Sequence, residues 1–205
     1  TISPRTRLVT FAKPHISARA ILAELAGAMS NLAQPLYSSG TGDASWTNEA
    51  KWCLDELRRL HDENETFSLV REYLAEALSY LTARVAILGR VNDNGVAEAE
   101  ASLDELRSLH RDYGSEPAIR KWLASALVNL TNHLGALGPT DAERMTQAEE
   151  RLDELRRLHM EYGREPVVRE QLARGLVNLI LAFGTLGREN EDQMRQAVEC
   201  LEELR

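Results

Sequence analysis

The chain has 205 residues, of which 43% are hydrophobic and 5% aromatic, and its formal net charge is −8 at pH 7. This composition favours helices over sheets, and dispersed acidic charge disfavours nucleic acid, which is bound by clustered Lys and Arg. No apolar run approaches the roughly eighteen residues of a membrane span. From these features together we expect an all-α protein that binds neither nucleic acid nor membranes.

One short sequence recurs along the chain: LDELRRLH from Leu54, LDELRSLH from Leu103, LDELRRLH from Leu152 and LEELR from Leu201. Each copy starts 49 residues after the one before it. A constant period is typical of a repeat array, in which similar helical or strand units stack and share one core. Because the last copy is short and the chain opens on Thr, we expect a fragment of a longer protein. The predicted units are 5–53, which is degenerate, 54–102, 103–151, 152–200 and the start of another at 201–205.

The cysteines Cys53 and Cys200 occupy the same position three repeats apart. In a stacked array these positions lie too far apart for a disulfide. Reduced cysteines are typical of a reducing compartment, and no signal-peptide pattern opens the chain. We therefore expect a cytoplasmic protein.

Each full repeat is predicted to contain two helices, called helix A and helix B. Helix A carries small or apolar residues at i, i+4, i+7 and i+10, as in Ala99, Leu103, Leu106 and Leu109. This spacing forms one stripe on an α-helix, so the second and third residues of each LDEL are expected in solvent. In the degenerate repeat, Pro14 is expected to open a helix. No strand is predicted. The predicted helices are 14–34, 46–62, 66–88, 96–112, 116–137, 141–161, 165–186 and 191–205.

Glycine and proline mark the predicted helix ends. Gly114 and Gly163 follow a tyrosine at the end of helix A, where glycine commonly supplies a left-handed residue. Pro117 and Pro166, each preceded by Glu, suit the first turn of helix B, because the acidic residue complements the positive end of the helix dipole.

Helix B places small residues where two backbones would need to approach closely, with leucines between them: Ala124, Ala126, Ala173 and Gly175. Paired helices of this kind resemble the tetratricopeptide-like (TPR-like) superfamily, here with an atypical 49-residue unit. The resemblance implies an α-solenoid of antiparallel helical hairpins, a right-handed superhelix that binds a peptide or protein on its concave face. Such arrays often act as sensor or docking regions of larger regulators. HEAT-like helix pairs are the alternative.

The tripeptide His110-Arg111-Asp112 matches the catalytic loop of protein kinases. The equivalent positions read His61-Asp62-Glu63 and His159-Met160-Glu161, and the sequence contains no glycine-rich phosphate loop and no Asp-Phe-Gly. The match is interpreted as coincidence. With no paired acid and base to suggest catalysis, we expect no enzymatic activity and no cofactor.

Three histidines recur at the edge of the helix A stripe: His61, His110 and His159. A histidine in the last turn of a helix can hydrogen-bond an unsatisfied carbonyl and complements the negative helix end. Contact with a partner in the groove is the second possibility. A metal site is disfavoured, because nearby further ligands are lacking and the spacing between repeats keeps the histidines apart.

Two arginine ladders recur as well. Arg58, Arg107 and Arg156 lie beside the helix A stripe, and a second set lies early in helix B: Arg71, Arg120 and Arg169. A guanidinium at the stripe edge can bridge neighbouring repeats or hold the carboxylates of a partner. The helix A arginines, with the three histidines, are the candidate partner-binding residues.

The function expected from these features is a non-enzymatic protein–protein interaction module. The alternative is a structural spacer or self-association element of a larger protein. Self-association is expected through helix 191–205, because it presents an apolar stripe without its own helix B.

Overall fold

Six α-helices make up most of the described part of the chain. The computed structural model describes residues 27, 44–88, 93–137, 142–185, 195, 198, 199 and 202, and no strand occurs among them. In chain order the helices are α1 (Ala44–Glu63), α2 (Ser68–Leu88), α3 (Asp93–Tyr113), α4 (Pro117–Leu137), α5 (Ala142–Tyr162) and α6 (Pro166–Thr185).

The all-α prediction is confirmed for these residues, and each of the six helices begins and ends within three residues of its predicted range. The predicted helices 14–34 and 191–205 fall almost entirely outside the described residues. Gly27 in the first, and residues 195, 198, 199 and 202 in the second, are helical.

The helix A stripe is buried as predicted. In α3, Ala99, Leu103 and Leu106 are 0% exposed, because the 3.6-residue period turns them all to one side. The second residue of LDEL is in solvent, as Asp104 shows, but the third is half-buried, as Glu154 of α5 shows. The third position is therefore close enough to other helices to form specific contacts.

The chain forms two compact units, Thr1–Ala77 and Leu78–Arg205. In the second unit α4 contacts α3, α5 and α6, and α5 contacts α6. Gly175 of α6 lies in this core, where an added β-carbon would stand 3.1 Å from Leu152 and 3.8 Å from Val128. The small residue predicted at this position thus lets α6 pack closely against its neighbours.

The turns between helix A and helix B share one hydrogen-bond pattern. The amides of Phe67, Glu116 and Glu165 each donate to the carbonyl three residues earlier, at 2.9 Å in every case. These donors are 49 residues apart, so the sequence repeat is also a repeat of local structure. Arg71 and Arg120 add a second shared contact, because each donates from Nη1 to a turn carbonyl six residues earlier.

Gly114 and Gly163 follow α3 and α5 as predicted, but for another physical reason. Neither lies in the left-handed region of backbone conformation. A β-carbon at Gly114 would instead stand 2.5 Å from the carbonyl oxygen of His110, and one at Gly163 would stand 2.6 Å from that of His159. Glycine is required here because the backbone approaches itself too closely for a side chain.

Candidate interaction surface

The three recurring histidines, called the histidine ladder below, each lie in the last turn of a helix A. His61 in α1, His110 in α3 and His159 in α5 are all half-buried. The rings of His110 and His159 stand beside the following glycine, with His110 Nε2 3.3 Å and His159 Nδ1 3.2 Å from where its β-carbon would be. The nitrogens that approach, His110 Nε2 and His159 Nδ1, are buried and make no hydrogen bond. Both rings therefore contribute packing at the end of their helix.

His110 also contacts the next hairpin. Its ring meets the ring of Tyr162 edge-on, with centroids 5.8 Å apart and planes at 86°. Burial lowers the pKa of His110; Arg120 lowers it further, and Glu161 opposes both. The structure thus places one member of the histidine ladder at a contact between two hairpins.

Arg107 joins α3 to α5. Its Nε donates to Glu154 Oε1 at 2.8 Å and its Nη2 donates to Glu154 Oε2 at 2.5 Å. A third bond runs from Nη1 to Asp104 Oδ1 on the same helix, at 2.6 Å. The hydrogen bonds with Glu154 are the largest influence on the pKa of Arg107 and raise it. Arg107 therefore has the geometry of a bridge between repeats.

A second arginine, Arg151, completes a charge cluster between α3 and α5. Its Nε donates to Glu100 Oε1 at 3.1 Å, and its Nη1 lies 3.7 Å from Glu154. The four side chains of this cluster are only 19% to 27% exposed, which limits screening by water: Arg107, Glu154, Arg151 and Glu100. Sequence reasoning missed this arginine because the equivalent residue one repeat earlier is Ser102, so no ladder exists there.

Arg58 and Arg156 lie in more exposed ion pairs. Each donates to the aspartate three residues earlier on its own helix, Asp55 at 2.8 Å and Asp153 at 2.7 Å. Their side chains are 39% and 33% exposed. Because such surface pairs contribute little free energy, the carboxylate of a partner can compete for these guanidiniums.

The Arg107–Glu154 pair should couple α3 to α5 energetically. In a double-mutant cycle with Arg107→Met and Glu154→Gln, we expect a coupling of about 1 kcal/mol, typical of neighbouring residues in one network. Methionine keeps the apolar stem, so the cycle reports the ion pair. Urea unfolding of the four proteins measures it, and added salt should reduce the coupling.

The matched control is the equivalent arginine one repeat later. Arg156→Met with Asp153→Asn should couple by only about 0.2–0.5 kcal/mol, as for pairs within one exposed helix. A coupling at Arg107 no larger than this would contradict its role as a bridge.

One exposed patch on α5 combines cationic and apolar side chains. Met160 is 78% exposed, and Arg156 and Arg157 lie four and three residues before it, so the three share one side of the helix. They are called the α5 patch below. Sequence reasoning did not single out Met160, although it could have: the equivalent positions hold Asp62 and Arg111, so methionine breaks a polar pattern.

A second exposed apolar surface lies on α6. Val177 is 44% exposed and Leu181, one turn later, is 63% exposed. The residue equivalent to Val177 in α4 is Val128, which is 3% exposed and lies next to Gly175. Val177 and Leu181 are called the α6 face below. At the repeat position of Val177 this face is exposed, whereas the equivalent position in α4 is buried under the following hairpin.

Within the described ranges, no three His, Cys, Asp or Glu side chains are placed to share a metal ion. None of the described helices is both long and apolar enough to cross a membrane. Comparison with protein-family models gives no match, and comparison with curated proteins gives none either. The function proposed below therefore rests on the residues of this chain.

Proposed function

We propose that this chain is a non-enzymatic protein-interaction module, built as a TPR-like α-solenoid, and that it binds a polypeptide segment through the α5 patch. Two observations support the stacked architecture. Helix α4 contacts α3 of its own hairpin and both helices of the next one. The hairpin turns repeat the same hydrogen bonds every 49 residues.

The observation that carries the binding proposal is the exposure of Met160. The flexible, polarizable side chain of methionine adapts its shape to different surfaces, and methionine and arginine are both enriched at protein interfaces. Arg156 and Arg157 place positive charge beside it on α5. The chemistry of the patch fits a partner segment with an apolar side chain flanked by carboxylates.

The arginine ladder then has two roles. Arg107 is held between α3 and α5 by Glu154, where it supports the spacing of the hairpins. Arg156 is more exposed and lies in the α5 patch, where it meets the partner. Arg58 has the same local geometry as Arg156 in the first unit, with Asp55 as its neighbour, and is proposed as a further contact there. The histidines support the helix ends beside these arginines.

Self-association is the second candidate function, and the α6 face favours it. Val177 exposes apolar surface at a repeat position that α4 buries, and Leu181 adds exposed apolar surface one turn later. A second copy of the chain, or a further hairpin, would bury this face.

The test is capture of partners by the immobilised full chain from a lysate of the source cells, with and without the α5 patch. We expect Met160→Ala to weaken the captured complex by about fivefold to thirtyfold, the effect of losing about 1–2 kcal/mol at a contact residue. Affinity is then measured by titration with the purified partner. The thermal midpoint should hardly change, because Met160 is exposed.

The matched control is Arg174→Gln on α6, an exposed arginine outside the patch, which should leave the captured complex unchanged. If Met160→Ala and Arg174→Gln bind equally well, the α5 patch is not the binding surface. If the bait retains only further copies of itself, and Leu181→Lys abolishes this, self-association is the function instead.

A further inference from the structure

The contact between the α3–α4 turn and the α5–α6 turn concentrates ionisable groups. Arg120 is buried in α4; it donates from Nη1 to the carbonyl of Gly114 and from Nη2 to Glu165 of the next turn. Its guanidinium also stands 4.5 Å from the centre of the Tyr162 ring. One cation thus holds both turns together.

His110 completes this contact without a charge of its own at neutral pH. Its ring packs edge-on against Tyr162, and its Nε2 is buried with no hydrogen-bond partner. The same nitrogen lies 3.3 Å from where a β-carbon on Gly114 would be, next to the carbonyl that Arg120 binds. A proton added to His110 would therefore enter a part-buried contact that already contains a guanidinium.

The charges facing His110 come from two elements besides its own helix. Arg120 of α4 disfavours a second positive charge, whereas Glu154 and Glu161 of α5 favour one. Burial is the largest influence and opposes the charged imidazole. The two carboxylates therefore reduce the cost of protonation without removing it.

We propose that the contact between these two turns is an acid-sensitive joint, which loosens when the His110 imidazole is protonated. Burial lowers the pKa of His110 in the folded chain below its value in the unfolded chain. This site therefore makes its full contribution to the free energy of unfolding above about pH 6.5, the ordinary pKa of histidine, and the contribution is lost as pH falls below it. The joint lies between hairpins and is distinct from the α5 patch.

The experiment compares urea unfolding of the full chain at pH 7.5 and pH 5.5, on either side of the ordinary pKa of histidine. The urea midpoint of the wild-type chain should fall on acidification. The midpoint of His110→Gln should fall less over the same interval, because the neutral glutamine side chain does not titrate. In His159→Gln, which leaves the contact between His110 and Tyr162 intact, the midpoint should still fall on acidification. Equal losses in His110→Gln and the wild type would overturn the proposal.

A second measurement needs no substitution and decides the matter if His110→Gln folds poorly. Proton NMR of the wild-type chain follows the ring signals of His110 and Tyr162 from pH 8 to pH 5. We expect His110 to titrate below the ordinary histidine range and the Tyr162 ring to shift with the same midpoint. If His110 titrates in or above that range, or if Tyr162 does not follow, the joint does not exist.

Discussion

Leu127→Ala should lower the free energy of unfolding by about 2–5 kcal/mol, the range for a buried leucine truncated to alanine. Leu127 of α4 is 0% exposed, and α4 is the helix that contacts α3, α5 and α6. The lost methyl groups would leave a cavity that three neighbouring helices cannot all close. Urea unfolding at constant pH measures the change.

A matched control uses the same substitution on α6. Leu181→Ala removes the same atoms from a side chain that is 63% exposed, so its effect should stay within about 0.5 kcal/mol. Leu176→Ala, five residues earlier on the same helix and 1% exposed, should again be costly. Similar losses for Leu176 and Leu181 would mean that the buried side of α6 has been assigned wrongly.

Gly114→Ala should destabilise the protein by about 1–3 kcal/mol, the usual cost of forcing extra volume into a packed site. The new β-carbon would stand 2.5 Å from the His110 carbonyl oxygen, a backbone atom of the last turn of α3. That turn must distort, and the His110 ring beside the glycine must move with it. Thermal unfolding followed by circular dichroism reports the loss.

The chain contains its own control for this substitution. Glu65 occupies the same repeat position after α1, already carries a side chain and is exposed. There α1 ends at Glu63, one residue earlier in register than α3, and Asn64 donates from Nδ2 to the carbonyl of Leu60 at 3.0 Å. Glu65→Ala should therefore change stability by less than about 0.5 kcal/mol. A loss as large as that of Gly114→Ala would show that close approach is not the reason for glycine.

The ladders illustrate where sequence reasoning reached its limit. The 49-residue spacing correctly placed His110 at the end of a helix and Arg107 at the edge of a buried stripe. It could not show that Arg107 meets Glu154, because that contact joins residues 47 apart on different helices. Arg151 recurs at no equivalent position, so periodicity offered no signal for its bond to Glu100.

The sequence by itself determined the helices of the described ranges and their buried stripes. These follow from local rules: apolar residues at a 3.6-residue period, proline in the first turn and glycine after the last. Only the tertiary structure decided which equivalent residues share an environment. Val128 and Val177 have the same position in the repeat, yet one is 3% and the other 44% exposed. The physical reason is that burial depends on whether another hairpin packs over the position, which no local pattern records.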